Sequence, residues 1–280
     1  MLRYLLPGVL ALATVSRLPA PTPGVNDGGP GESQTVAPGA LARVAVIGAS
    51  ASAGFLLPTD LGEALDWLLV CEHRPVQAFA NTRFFLDPFA HANEQVAAAK
   101  AIDPTAVVAL DFLFWFSYGV VLDEASRSWL LERGLDFLEG FDCPLLISTV
   151  PDMRASTGKM LTAAQVPSVE TLRTLNERIE SWAAARPNVV LVHLPHWHDQ
   201  FLAGQRFDID GVLWPRRPDD PLLLWDQLHP TIDGLSLLSC KILERLVESC
   251  GDIDAGAVRL DPRLVADPLN ARMRVIMARR

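Results

Sequence analysis

A serine and a histidine can share one proton when an aspartate fixes the imidazole, and this chain carries such a set at opposite ends. Ser50 lies in Gly48-Ala49-Ser50-Ala51-Ser52, directly after the apolar run Val44-Ala45-Val46-Ile47. His229 closes the block Asp226-Gln227-Leu228-His229-Pro230, directly before a long apolar-periodic segment. A serine hydroxyl is a weak nucleophile until an adjacent base takes its proton. An aspartate on one imidazole nitrogen leaves the other nitrogen free for the serine. The small residues between Gly48 and Gly54 let the backbone bend sharply and keep both a hydroxyl and backbone N–H groups open to a substrate. A backbone N–H of this turn, Ser50's own included, could hold an oxyanion.

Each piece has a plainer reading. The Gly48–Gly54 stretch also suits a structural bend. As a dinucleotide phosphate loop it needs Gly-x-Gly-x-x-Gly, and Ser50 stands where the second glycine belongs. A lone Asp-x-x-His is common. The pairing of the two blocks, each next to a strand or helix pattern that can carry it, favours chemistry.

The elements that must position these residues alternate along the chain. Short apolar runs read as buried strands at Arg43–Ile47, Val76–Ala80, Thr105–Leu110, Pro144–Val150 and Val189–Leu194. Helical periodicity falls between them. Helices are expected over 59–73, capped by Thr59-Asp60, and over Asn93–Ile102, stopped before Pro104. Further helices are expected over Leu122–Leu138, Ser168–Ala185 and Thr231–Ser249. Continuous apolar strands alternating with helices imply an α/β fold: a mainly parallel five-stranded sheet covered on both faces. Ligands of such sheets bind at the carboxyl ends of the strands, where Ser50 falls. Gln205–Trp225, rich in Asp, Arg and Pro, reads as a long loop, and the chain after Gly251 shows no clear period.

Gly48, Ser50 and Ser52, with the complete Asp226-x-x-His229-Pro230 block and the helix after it, resemble the SGNH hydrolases, also called GDSL-type esterases. The family pattern is Gly-Asp-Ser-x-Ser, and here Ala49 replaces the aspartate. The resemblance spans residues 41–250 and implies a flavodoxin-like three-layer α/β/α domain. It also implies a serine esterase or deacylase with no metal or organic cofactor. In that reading Ser50 attacks an ester carbonyl, His229 is the base and Asp226 orients it. The implied substrate is a small ester or an acylated glycan, such as an acetylated carbohydrate. Some members transfer acyl groups instead. The family's oxyanion donors include a glycine after strand two and a Gly-x-Asn-Asp after strand three. Here the first position reads Phe79-Ala80-Asn81-Thr82, which makes Asn81 a candidate donor beside Ser50. The second reads Leu110-Asp111-Phe112, and an ionised Asp111 would repel an oxyanion unless it is turned away. A catalytically silent SGNH-like binding domain would also tolerate that missing block.

Other residues are less specific. Phe112, Phe114, Trp115, Phe116 and Tyr118 read as core, or as the wall of an acyl or sugar pocket. His193, His196, His198 and Asp199 have a ligand-like spacing but read as a loop cluster. Trp197, Trp214 and Trp225 could stack on a sugar ring. Four cysteines, Cys71, Cys143, Cys240 and Cys250, match no zinc spacing. Buried thiols, or one or two bridges, both remain open.

A chain of 280 residues, half of them hydrophobic, can bury a sizeable core. A net charge of −9 argues against a general nucleic-acid binder. Arg3 followed by the apolar Tyr4–Val15 is too short to span a bilayer and fits a signal peptide over residues 1–20. Residues 21–40, rich in Pro and Gly, read as a linker and 251–280 as a C-terminal extension. The expectation is a secreted or periplasmic protein without a stable membrane span.

Overall fold

The computed structural model describes residues 39–121 and 123–279, so the signal-peptide reading and nearly all of the linker lie outside the described residues. Five strands form one parallel sheet in the order β2-β1-β3-β4-β5: β1 Val44–Val46, β2 Gln77–Ala78, β3 Ala106–Ala109, β4 Leu145–Ser148 and β5 Val189–Val192. Register is regular across the centre, with Val46 opposite Val108 and Val108 opposite Leu146. Every residue of β1, β3 and β4 is buried, as their unbroken apolar runs require.

Helices cover both faces and split the core in two. One face packs α1 (Leu61–Asp66), α7 (Ile232–Ser249) and α8 (Arg263–Ala278) around Leu65, Leu243, Leu246 and Leu269. The other packs α2 (Pro88–Ala101), α4 (Glu124–Leu138) and α5 (Val169–Ala184) around Val107, Leu131, Leu135 and Ile179. The aromatic block sits in this second core: Phe84, Phe112 and Phe116 meet edge-on or tilted. A short helix, α3 (Phe114–Ser117), carries it.

Local chemistry explains where the elements begin and end. Asp60, Asp123 and Ser168 cap α1, α4 and α5 through their side-chain oxygens. Helix α2 starts five residues earlier than expected from the sequence pattern, because Asp87 caps it and Pro88 occupies its first turn. Helix α1 ends at Asp66 instead of running to His73. Its last carboxylate accepts the Val76 N–H, and the Val70 N–H is taken by the Ala257 carbonyl.

The expected loop 205–225 contains a hairpin, β6 (Phe207–Ile209) with β7 (Val212–Trp214), turning at Asp210-Gly211. The histidine-rich segment after β5 is helix α6 (Leu194–Leu202), with Pro195 in its first turn. The chain after Gly251 is α8, whose Val265, Ala266 and Leu269 are buried against α7. The four cysteines are free thiols, and burial pushes Cys240 up to about 12. Among the described residues no helix is long and apolar enough to cross a membrane.

Candidate active site

Strand β1 ends in a turn that nearly every backbone N–H helps to fix. The Gly48 N–H donates to Gln95 Oε1 at 2.7 Å, and Gln95 Nε2 donates back to the Gly48 carbonyl at 3.0 Å. Asp111, just past β3, receives the next group. Its Oδ1 accepts the Ala49 N–H at 2.9 Å and the Ser52 hydroxyl at 2.6 Å. Its Oδ2 accepts the Ala51 N–H at 2.8 Å and the Ser52 N–H at 3.2 Å. Ala53, Gly54 and Phe55 donate within the turn. Between Gly48 and Phe55, only the Ser50 N–H is left without a partner among the described residues. The Ser50 amide is therefore the one free N–H of this bend among the described residues.

Asp111 resolves the two oddities of the sequence. It supplies, from β3, the carboxylate that Ala49 lacks. It is also turned into the Ser50 turn and is fully engaged there. Gly48 leaves room for it: a Cβ at this φ of +156° would fall 2.2 Å from Asp111 Oδ1.

The other half of the site is the tight loop before α7. The Leu224 N–H donates to the His229 carbonyl at 2.8 Å, and the Thr231 N–H to the Leu222 carbonyl at 3.0 Å. Gly234 permits this approach, since a Cβ there would meet the Leu222 carbonyl at 1.9 Å. Thr231 caps the helix. Asp226 is wholly buried, with Oδ1 accepting the Leu228 and His229 N–H groups at 2.9 and 3.0 Å. Its Oδ2 faces His229 Nδ1 at 2.7 Å. Burial alone would raise the Asp226 carboxyl, but the bonds from His229 and Leu228 outweigh it and hold it below the usual range.

A carboxylate only accepts, so Nδ1 carries the proton and Nε2 presents a lone pair. That lone pair meets Ser50 Oγ at 2.8 Å. The ring is held from the side by Phe55, stacked at 4.2 Å between centroids. The three residues of the sequence pattern, Ser50, Asp226 and His229, thus form one hydrogen-bonded chain across 179 positions of sequence.

Asn81 stands beside the turn rather than inside it. Its N–H donates to the Gly48 carbonyl at 3.1 Å, and its Oδ1 accepts the Arg83 N–H at 2.8 Å. Only its side-chain Nδ2 remains free to donate among the described residues. His198 is the residue that sequence spacing misassigned. Within α6 its Nε2 donates to the Gln227 carbonyl at 2.9 Å, holding the middle of the Asp226–His229 loop, where Gln227 has a left-handed φ of 60°. Among the described residues no group of three His, Cys, Asp or Glu is arranged to hold a metal ion.

No protein-family model matches the chain, and no curated protein does. Among solved structures it is similar to a lipase/acylhydrolase from Enterococcus faecalis, at 16% identity and a TM-score of 0.47, over 79% of this chain and 99% of that one. A lipolytic protein of the G-D-S-L family from Desulfitobacterium hafniense shares 15% identity at a TM-score of 0.43, over 74% of this chain and 99% of that one. At these values the likeness assigns no reaction and no substrate. The strand order and the seats of Ser50 after β1 and of Asp226 and His229 before α7 make the chain SGNH-hydrolase-like in fold.

Proposed function

We propose that the protein is a serine esterase that cleaves small esters through Ser50, His229 and Asp226. The observation that carries this reading is the 2.8 Å contact between Ser50 Oγ and His229 Nε2, with buried Asp226 behind the ring. Ser50 Oγ adds to the ester carbonyl carbon as His229 Nε2 takes its proton. Asp226 keeps the imidazole in the required tautomer and stabilises the imidazolium that forms. The free Ser50 N–H, with Asn81 Nδ2 as a second candidate, faces the developing oxyanion. His229 then protonates the leaving alkoxide as the C–O bond breaks. Water then adds to the acyl carbon as His229 takes its proton, and the proton returns to Ser50 Oγ as the acyl C–O bond breaks and the acid leaves.

The test is hydrolysis of p-nitrophenyl butyrate by variants whose fold is checked by circular dichroism. Ser50→Ala and His229→Ala should each lower kcat by about 10⁴-fold or more, with Asp226→Ala less severe. Ser52→Ala should behave differently, losing stability through its bond to Asp111 more than chemistry. An unchanged rate in His229→Ala would remove the triad. The same reading includes export, which N-terminal sequencing of the mature protein tests.

A further inference from the structure

The acyl group is left open by the triad, but a cavity beside it is specific. It has a volume of about 60 Å³ and opens at Ser50 and His229. It lies where β3 and β4 end, at the seam between the two cores. Phe114, Val150 and Met153 line it from one side, and Leu110, Phe201 and Leu238 from the other.

Its wall is mostly apolar, and most of its polar side-chain atoms are already engaged. Both Asp111 oxygens are taken by the nucleophile turn. Ser148 Oγ donates to the Leu110 carbonyl at 2.5 Å. The His198 Nε2 is committed to Gln227, while its Nδ1 is buried without a partner, and burial holds the ring's pKa below the ordinary value, keeping it neutral. A sugar ring or hydroxylated acyl group entering here would lose water and find few partners, and each stranded polar group opposes binding.

Resting on the esterase reading, we propose that this cavity is the acyl pocket and that it selects a short, unbranched aliphatic acyl chain. The cavity is under half of the about 150 Å³ that admits a benzene ring, so it takes only the first few carbons of an acyl chain. An acetyl group leaves part of it unfilled, and a long chain overruns it. The alcohol, whatever its nature, departs on the solvent side of Ser50.

Two measurements test this. The first is kcat/KM for p-nitrophenyl esters from acetate to dodecanoate. It should rise about fourfold per methylene, the equivalent of about 0.8 kcal/mol each, until the pocket is full near butyrate, then fall. Phe201→Leu should move the optimum to longer chains and Leu238→Phe to shorter ones. The second uses the Ser50→Ala protein, where no turnover is needed: millimolar 1-butanol should raise its Tm and ethanol should not. A flat profile, or one best at acetate, with no butanol effect overturns the acyl pocket and leaves the esterase standing. A butanol shift in a folded wild-type protein that cleaves no ester overturns the acyl assignment together with the esterase.

Discussion

Asp111→Asn is the most incisive perturbation of this site, because it changes one oxygen to an amide without changing volume. The carboxylate receives three backbone N–H groups and one hydroxyl, and it is almost wholly buried. Asparagine keeps one acceptor. With its oxygen at the Oδ2 position it still serves Ala51 and Ser52, and the Ser52 hydroxyl can rotate to accept from the new NH₂. The Ala49 N–H then faces a donor and is orphaned. The opposite orientation orphans two N–H groups. One stranded buried donor plus the lost charge assistance amounts to about 2–4 kcal/mol. Asp111→Ala strands all three and should cost more, a large share of a stability of about 5–15 kcal/mol. The Ser50 turn should also relax, and a displacement of about 1 Å can lower rate about 10²-fold. Urea unfolding gives the stability loss, and kcat/KM on p-nitrophenyl butyrate gives the second. A variant within about 0.5 kcal/mol of the wild type and with an unchanged rate would refute the anchoring role of this carboxylate.

Further predictions concern the supports of the site. His198→Leu should lower kcat more than it changes KM, since the Gln227 carbonyl loses its donor, whereas His198→Gln, whose Nε2 can reach the same carbonyl, should recover most of the rate. The Glu124 carboxyl, raised by burial but lowered further by Thr171, Arg127 and the Ser168 N–H, sits at about 2. Because its folded value is depressed from an unfolded value of about 4.3, its contribution is complete above that pH and is lost as pH falls toward 2. Chemical denaturation between pH 5 and about 2 should show that decline, and Glu124→Gln should flatten it.

Much of the sheet was legible because its strands are buried on both faces. Val44–Ile47, Thr105–Leu110 and Pro144–Val150 carry unbroken apolar runs, and such runs have few other homes. The meeting of Ser50, His229 and Asp226 was legible for a different reason: Asp226 and His229 are neighbours on one loop, and Ser50 follows a strand end. The supports were not. Asp111 acts across 59 to 62 positions on a turn whose own residues show no need for it, and Gln95 clamps Gly48 from the middle of a helix. Neither contact has a sequence period. The β6–β7 hairpin did carry a signal, Asp210-Gly211 between Phe207–Ile209 and Val212–Trp214. The charges and prolines around it masked the alternation. Helix α6 was hidden because its buried positions, His198 and Phe201, include a polar residue where a hydrophobe was sought. Pro268 inside α8 broke the period that Val265 and Leu269 would otherwise show.

The anchoring of the Ser50 turn on β3 and of His229 on the loop before α7 has a consequence for how the molecule folds. Neither contact closes a short loop. Gly48, Ala49 and Ser52 wait for residues beyond Ala90, and Ser50 waits for a segment 179 positions later. Such distant closures come late and slowly, after local helices and turns. On the esterase reading, a folding intermediate holding only the first strands would present an unreactive serine. Labelling of Ser50 by an organophosphate during refolding would therefore follow completion of the whole domain, and would serve as a clock for its last step.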